Sequence, residues 1–518
     1  MRDASFAAKH YRVHFTPLSP VHIGDGSDFE PVNFVVDEGE ERLYGFNPVR
    51  VLLTPEERVE LGRAALSRDA FSAIQKFYLK RLEKYKSAAP AIVPIDHAAV
   101  ANLKKLIQGS RINDNRIPKT ASVFSGGDRA PYVPGSSLKG VIRTAMFDNL
   151  VEHGRGWGIE GAKSVQQMDD IAYGGSMGKS PFRYLKAGDL MPEESVAYTR
   201  IIKANRIHKK DDPLPQVSGI PSYLEVIEKA QYRAFSGDLA INAPREKDAT
   251  VPEEMQSIES LVRCLNRYYF DLFEKESSIW EKGNKATREW FSEVSRLLSK
   301  LRPEMESGKV ALIRIGHNSG AEALTIHKLA KIRIRKPFGQ GYFAKTASTF
   351  FSAIEEIPGN GQCVLPFGWA LLEIGDLPGT VLKDWCRKTH LQDKFASFDL
   401  RQARLGLKSQ FEKELAALQK AQCEKHAEEK AEKEAEEQRK RRVAEMKEKY
   451  ADLPENQRLI MELCEEAVED PKGIAPGSEL EKRKNELFSR LKKSPSDFLL
   501  LSKELVKVAK KRKQRWAK

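Results

Sequence analysis

Cysteine is scarce in this chain and never clustered. The five cysteines among 518 residues, Cys264, Cys363, Cys386, Cys423 and Cys464, include no C-x-x-C pair, which excludes a zinc ribbon or dithiol centre and predicts reduced thiols. A phosphate-binding G-x-x-x-x-G-K-[ST] loop is also missing. So is any run of 18 or more apolar residues, and the segment MRDASFAAKHYRV has no apolar core of signal-peptide length, so a cytoplasmic address is expected. Charge of one sign does not dominate the body. The net charge is +13, but residues 401–518 hold 30 Lys+Arg against 23 Asp+Glu, leaving only +6 for the first 400 residues. A polyanion-binding surface there has to come from local clustering.

Hydrophobic residues make up 41% and charged residues 31%, as in a globular protein with one unusually charged part. At about 150 residues per domain, the length suggests about three structural units. Over residues 10–37, Tyr11, Val13 and Phe15 alternate with Arg12, His14 and Thr16, and FVVD follows the turn GDGSDFEP, which predicts two strands. Apolar residues at helical spacing between Pro55 and Tyr85 predict one or two helices. Residues 172–250, rich in Gly, Pro, Ser and charge, read as irregular loops or insertions. Helices are expected over 252–302, strands and glycine loops over 310–350, and a closing strand in LPFGWALLEI at 365–374.

From Lys408 to Tyr450 the chain has no Gly or Pro and almost no apolar residue between Leu418 and Val443, which predicts one solvated helix of about 65 Å held by i,i+4 ion pairs. Short amphipathic helices are expected beyond it, ending in KVAKKRKQRWAK. The expected organisation is a body over 1–400 with insertions at about 50–110 and 172–302, a charged helix over 401–450, and a small helical region with a basic tail over 451–518.

Three segments carry candidate chemistry. In KIRIRKPFGQGYFAK, strand alternation puts Lys331, Arg333 and Arg335 on one face and Ile332 and Ile334 on the other. Lys336 and Lys345 extend the cationic ridge, Gly339 and Gly341 permit close approach of a polyanion to main-chain N–H groups, and Phe338, Tyr342 and Phe343 offer stacking platforms. A charge-guarded edge strand followed by a glycine turn and packed aromatics fits the same residues. In PGSSLKG, Ser136 or Ser137 is expected at a helix N-cap, with Lys139 and Arg143 one turn apart on the face opposite Leu138, Val141, Ile142 and Ala145. An ordinary capped amphipathic helix fits that pattern equally. Gly24 and Gly26 form a turn able to present N–H groups.

In this order, TPLSPVHIGDGSDFEPVNFVVD, YVPGSSLKGVIRTAMF, SPFRYLKAGDL, RIGHNSG and FGQGYFAKTA resemble the RAMP superfamily of CRISPR RNA-binding proteins, and within it the fifth Csm subunit family of type III-A effector complexes. The resemblance spans about residues 10–375. It implies an α+β fold with a ferredoxin-like, RRM-type core and helical insertions, to which an α-helical C-terminal extension is added. It also implies guide-RNA (crRNA) contact through Gly24, Gly26, Ser136, Ser137, Lys139, Arg143, Lys331, Arg333, Arg335, Lys336, Gly339, Gly341 and Lys345. The implied partners are other Csm subunits, the backbone subunits above all, and target RNA. Capping of the 3′-side end of the filament and support of crRNA 3′-end maturation follow from the same resemblance, with no catalytic centre, cofactor or metal. The extension from about residue 401 departs from the family pattern, and a protein-docking arm is one reading of it.

Two enzymatic alternatives stay open. An endoribonuclease needs a general base and acid, for which His14 and His22 are best placed among His14, His22, His97, His317 and His327. A metal-dependent cut of target RNA, as in a repeated backbone subunit, needs shared carboxylates, for which Asp25, Asp28, Glu30 and Asp37 surround the first turn.

Overall fold

The apolar positions of the first strand, Lys9–Pro17, decide where the body is built. Val13 and Phe15 are buried while Arg12 is exposed, and the strand is paired antiparallel on both sides. Phe15 faces Phe235 on one neighbour and Leu372 on the other. The computed structural model describes residues 9–96, 99–100, 117–120, 122–125, 128–155, 158–162, 165–173, 180–193, 198–209, 216–242, 251–281, 283–335, 339–357, 361–389, 397–470 and 473–516. The fold is α+β. The chain divides into two compact units, Met1–Glu412 and Lys413–Lys518.

In the first unit, a six-stranded antiparallel sheet runs in the order Met191–Pro192, Phe235–Ile241, Lys9–Pro17, Trp369–Ile374, Val310–Arg314, with Leu185–Ala187 also on Phe235–Ile241. The Gly135–Glu152 helix packs its Leu138, Val141, Ile142 and Ala145 side into the same core as the Ile258–Ile279 helix, where Tyr269 donates its hydroxyl to the Val141 carbonyl at 3.2 Å. Val310–Arg314 is an edge strand, and its open groups are met by one side chain. The Asn266 amide donates to Val310 O at 2.8 Å and accepts from Leu312 N at 2.8 Å, so the edge is closed by a helix.

A second antiparallel sheet has the order Gln216–Ile227, Thr199–His208, Thr349–Ile357, Gly361–Pro366. Two of these strands lie where the sequence pattern reads as loops. Their polarity conceals them, because Arg200 and Glu225 are buried within them and are paired inside the protein. The expected closing strand at 365–374 is also divided. Leu365 and Pro366 end one strand, Gly368 turns the chain with φ +92°, and Trp369–Ile374 joins the other sheet. The GDGSDF turn is instead an irregular strand, Gly24–Phe29, paired with Ile117–Thr120 across a shifted register. Three short helices, Pro55–Ala65, Ala70–Leu79 and Leu82–Ser87, occupy the segment where one or two were expected.

The Ser397–Lys449 helix carries exposed i,i+4 pairs such as Lys430–Glu434 at 3.8 Å and Lys440–Glu436 at 2.7 Å. The second unit has its own small core, in which Ile460 and Leu463 meet Leu487, Leu491, Leu501 and Val508. Among the described residues, no helix is long and apolar enough to cross a membrane.

Candidate nucleic-acid interface

Five segments distant in sequence meet around a groove of about 930 Å³. Gly24 opens the Gly24–Phe29 strand, Ser137 and Arg143 come from the Gly135–Glu152 helix, Arg206 from Thr199–His208, His317 from the loop after Val310–Arg314, and Phe351 from Thr349–Ile357. That loop, Ile315–Gly320, is pinned by its backbone. Gly316 adopts φ +95°, a Cβ there would stand 2.5 Å from His22 O, and the same carbonyl accepts the His317 N–H at 2.7 Å. Asn318, at φ +66°, holds the left-handed region that side chains rarely adopt. His317 and Arg206 were not among the predicted contact residues. The signal for the loop is the pair Gly316 and Gly320 bracketing His-Asn-Ser; for Arg206 there is none, since its strand was unrecognised.

A smaller pocket of about 260 Å³ adjoins the groove and shares Arg314, Gly320 and Phe350 with it. Lys345 lines this pocket together with Lys209, whose ammonium reaches Glu322 at 2.6 Å, and His327, stacked on Tyr268 with ring centroids 4.4 Å apart. Arg314 is a wall rather than a contact group, held by Glu276 at 2.8 Å and by the Phe367 carbonyl at 3.0 Å.

The basic segment folds as a two-stranded ribbon, Ile332–Ile334 against Tyr342–Ala344. Lys331, Arg333 and Arg335 are exposed, and Ile332 and Ile334 are half-buried. The register places Arg333 directly opposite Phe343, so the two share a face, and Phe343 is 67% exposed. One aromatic therefore stands among cations on the outer face. Gly341 lies where a Cβ would collide with Ile334 O. Gly339 and Gly26 have open space around them, and Lys336 and Phe338 lie outside the described residues.

The family profile of the RAMP superfamily matches residues 14–320. The chain belongs to the RAMP superfamily. Among solved structures it is similar to a chain of a cryo-EM Csm–crRNA–target RNA ternary complex of a type III-A CRISPR–Cas system, at 17% identity and TM-score 0.45, covering 70% of this chain and 100% of that one. It is also similar to crystalline Csm5 of T.onnurineus, at 14% identity and TM-score 0.39, covering 69% and 99%. No curated protein matches.

In this RAMP protein the predicted N-cap needs correction. The helix starts at Gly135 with Pro134 as its cap residue, so Ser136 and Ser137 lie in the first turn. The Asp189 carboxylate accepts the Gly135 N–H at 2.8 Å, which fills part of the anion site expected there. Lys139 donates to Leu185 O at 3.0 Å, and burial, with Lys186 and Arg143 nearby, lowers its ammonium pKa. Arg143 is tied to Asp169 and lies over the Phe182 ring at 5.2 Å. Both cations are thus positioned by the fold, and Ser136 is exposed without lining the groove.

His22 and His317 lie edge to face with ring centroids 6.2 Å apart, whereas the acids of the first turn make separate contacts. His22 is only 4% exposed, its Nδ1 sits 2.7 Å from Glu225 O, and burial outweighs that contact to lower its pKa, which keeps the imidazole neutral. His14 lies 3.4 Å from Asp376, and His97 is outside the described residues. Asp25 accepts from Ser27 N at 2.8 Å, and Glu30 N donates to Asn33. Burial would raise the Asp37 carboxyl, but Lys86 at 2.9 Å outweighs it and holds the pKa below the usual value. Among the described residues, no three His, Cys, Asp or Glu are gathered as a metal site.

Proposed function

We propose that this chain is a non-catalytic crRNA-binding subunit of a type III-A effector complex, acting in antiviral defence in the cytoplasm. It caps the 3′-side end of the complex and supports maturation of the crRNA 3′ end. Its partners on this reading are crRNA, target RNA and other Csm subunits, above all the backbone subunits. The observation that carries the proposal is the exposed ribbon in which Arg333 and Phe343 share a face flanked by Lys331 and Arg335, within the unit that holds the Gly24–His317 groove. Cations beside an aromatic suit a strand whose phosphates and unpaired bases are both accessible.

The body is read as a ferredoxin-like, RRM-type core with insertions. Its support is the chain order of the larger sheet, in which the Gly135–Glu152 and Ile258–Ile279 helices each connect strands of that sheet. Absence of catalysis is supported by the buried, carbonyl-bound His22.

The test is crRNA binding by Arg333→Ala/Arg335→Ala. Affinity is expected to fall and the salt slope of binding to drop by about 1.4, at about 0.7 per phosphate contact on a single strand. Unchanged affinity removes the ribbon from the interface. Specific cleavage of repeat RNA by the purified chain, lost on His14→Ala or His22→Ala, would overturn the non-catalytic reading.

A further inference from the structure

We propose that the last helix, Pro495–Trp516, is a second, sequence-independent contact surface for single-stranded RNA. This helix lies beyond the family match. Its inner side is committed to the core of the second unit. Leu501 and Val508 are buried there, and Arg512 donates to Ala467 O at 2.9 Å.

Its outer side is free of that core. Leu499, Lys503, Val506 and Lys510 follow i, i+4, i+7, i+11 spacing and form one stripe, with Lys507 and Lys511 beside it. Leu499 is 56% exposed and Val506 55%, and the four lysines are exposed as well.

The ion pairs of the unit explain why this face keeps its charge. The acids of the Glu455–Glu469 helix and Asp470 are already engaged, Glu462 by Arg458 of the same helix and the others from other elements. Glu455 meets Arg490 at 2.8 Å, Glu465 meets Lys449 at 3.2 Å, Glu466 meets Arg483 at 2.5 Å, Glu469 meets Arg442 at 3.0 Å, and Asp470 meets Arg439. On the last helix, Glu504 is engaged by Lys507 at 2.5 Å. Lys503, Lys510 and Lys511 form no ion pair among the described residues. The charge complement of this stripe is a polyanion outside the unit.

The apolar rungs select among polyanions. Leu499 and Val506 alternate with Lys503 and Lys510 along the stripe, so phosphates can meet lysines while ribose and base faces meet the aliphatic side chains. A single strand offers both surfaces at once. An A-form duplex stacks its bases away and is recognised by its shape and backbone.

This inference rests on the proposed RNA-binding role for the identity of the polyanion, and the test separates the two. Binding of a crRNA-length single strand is measured against salt for the full chain, for Lys503→Ala/Lys507→Ala/Lys510→Ala/Lys511→Ala, and for Arg333→Ala/Arg335→Ala. The lysine variant is expected to lower the salt slope by roughly 2–3, at about 0.7 per phosphate contact. Its circular dichroism and melting temperature should match the parent, because all four side chains are exposed. Leu499→Ala/Val506→Ala is expected to weaken single-strand binding and leave duplex binding unchanged.

If the lysine variant keeps parental affinity and slope, the inference falls, and the ribbon reading stands or falls on its own variant. If only the lysine variant loses binding, the helix is upheld and the ribbon reading is the one lost. Lysine-dependent binding to phosphatidylserine-containing vesicles without any effect on RNA would overturn the inference in favour of a membrane surface.

Discussion

Position 316 places its demand on the backbone. With φ +95° and a Cβ site 2.5 Å from His22 O, Gly316 cannot be replaced without shifting the loop that frames the groove. Gly316→Ala is expected to cost about 1–3 kcal/mol, measured by chemical denaturation, with crRNA affinity falling in parallel. Phe343 presents the opposite case. An exposed ring contributes little to folding, so Phe343→Ala should keep stability within about 0.5 kcal/mol while weakening single-stranded RNA binding by about 1–3 kcal/mol. Phe343→Trp should restore the affinity. Loss of stability with retained binding would assign the ring to packing instead.

Among the elements, the second sheet depends on charge buried within it. Arg200 reaches Glu228 at 2.6 Å and Glu355 at 2.8 Å, and Lys229 also reaches Glu355. Two cations and two carboxylates therefore balance inside the fold. Glu355→Gln would leave Lys229 and Arg200 undercompensated and is expected to destabilise the protein by about 3–5 kcal/mol. The pH dependence follows from the same contacts. Burial alone would raise the Glu355 carboxyl, but Lys229 and Arg200 outweigh it and hold its pKa below the ordinary 4.5. A carboxyl lowered by folding adds stability that is present above 4.5 and lost as pH falls through the folded value. Denaturation across that acidic window should show a steeper loss for the parent than for Glu355→Gln. The same charges explain why these strands were illegible in sequence, where Arg200, Glu225, Glu228 and Lys229 read as the polarity of a loop.

For the whole molecule, an end-capping role predicts one copy per assembled complex, counted by native mass spectrometry. Complexes assembled without the chain should carry longer and more heterogeneous crRNA 3′ ends on denaturing gels. Several copies along the guide would contradict the cap. The sequence by itself determined what depends on near neighbours: the alternation of Val13 and Phe15, the apolar side of the Gly135–Glu152 helix, the lysine and arginine face of the ribbon, and the solvated helix with its i,i+4 pairs. Strand and helix periodicity impose these within a few residues. Only the tertiary structure decided that Phe343 faces Arg333, that Pro134 rather than a serine is the cap residue with Asp189 meeting the Gly135 N–H, and that Gly24, Ser137, Arg206 and His317 line one groove. Each of these depends on a partner brought in by strand pairing or loop docking, and local spacing carries no record of which partner that is.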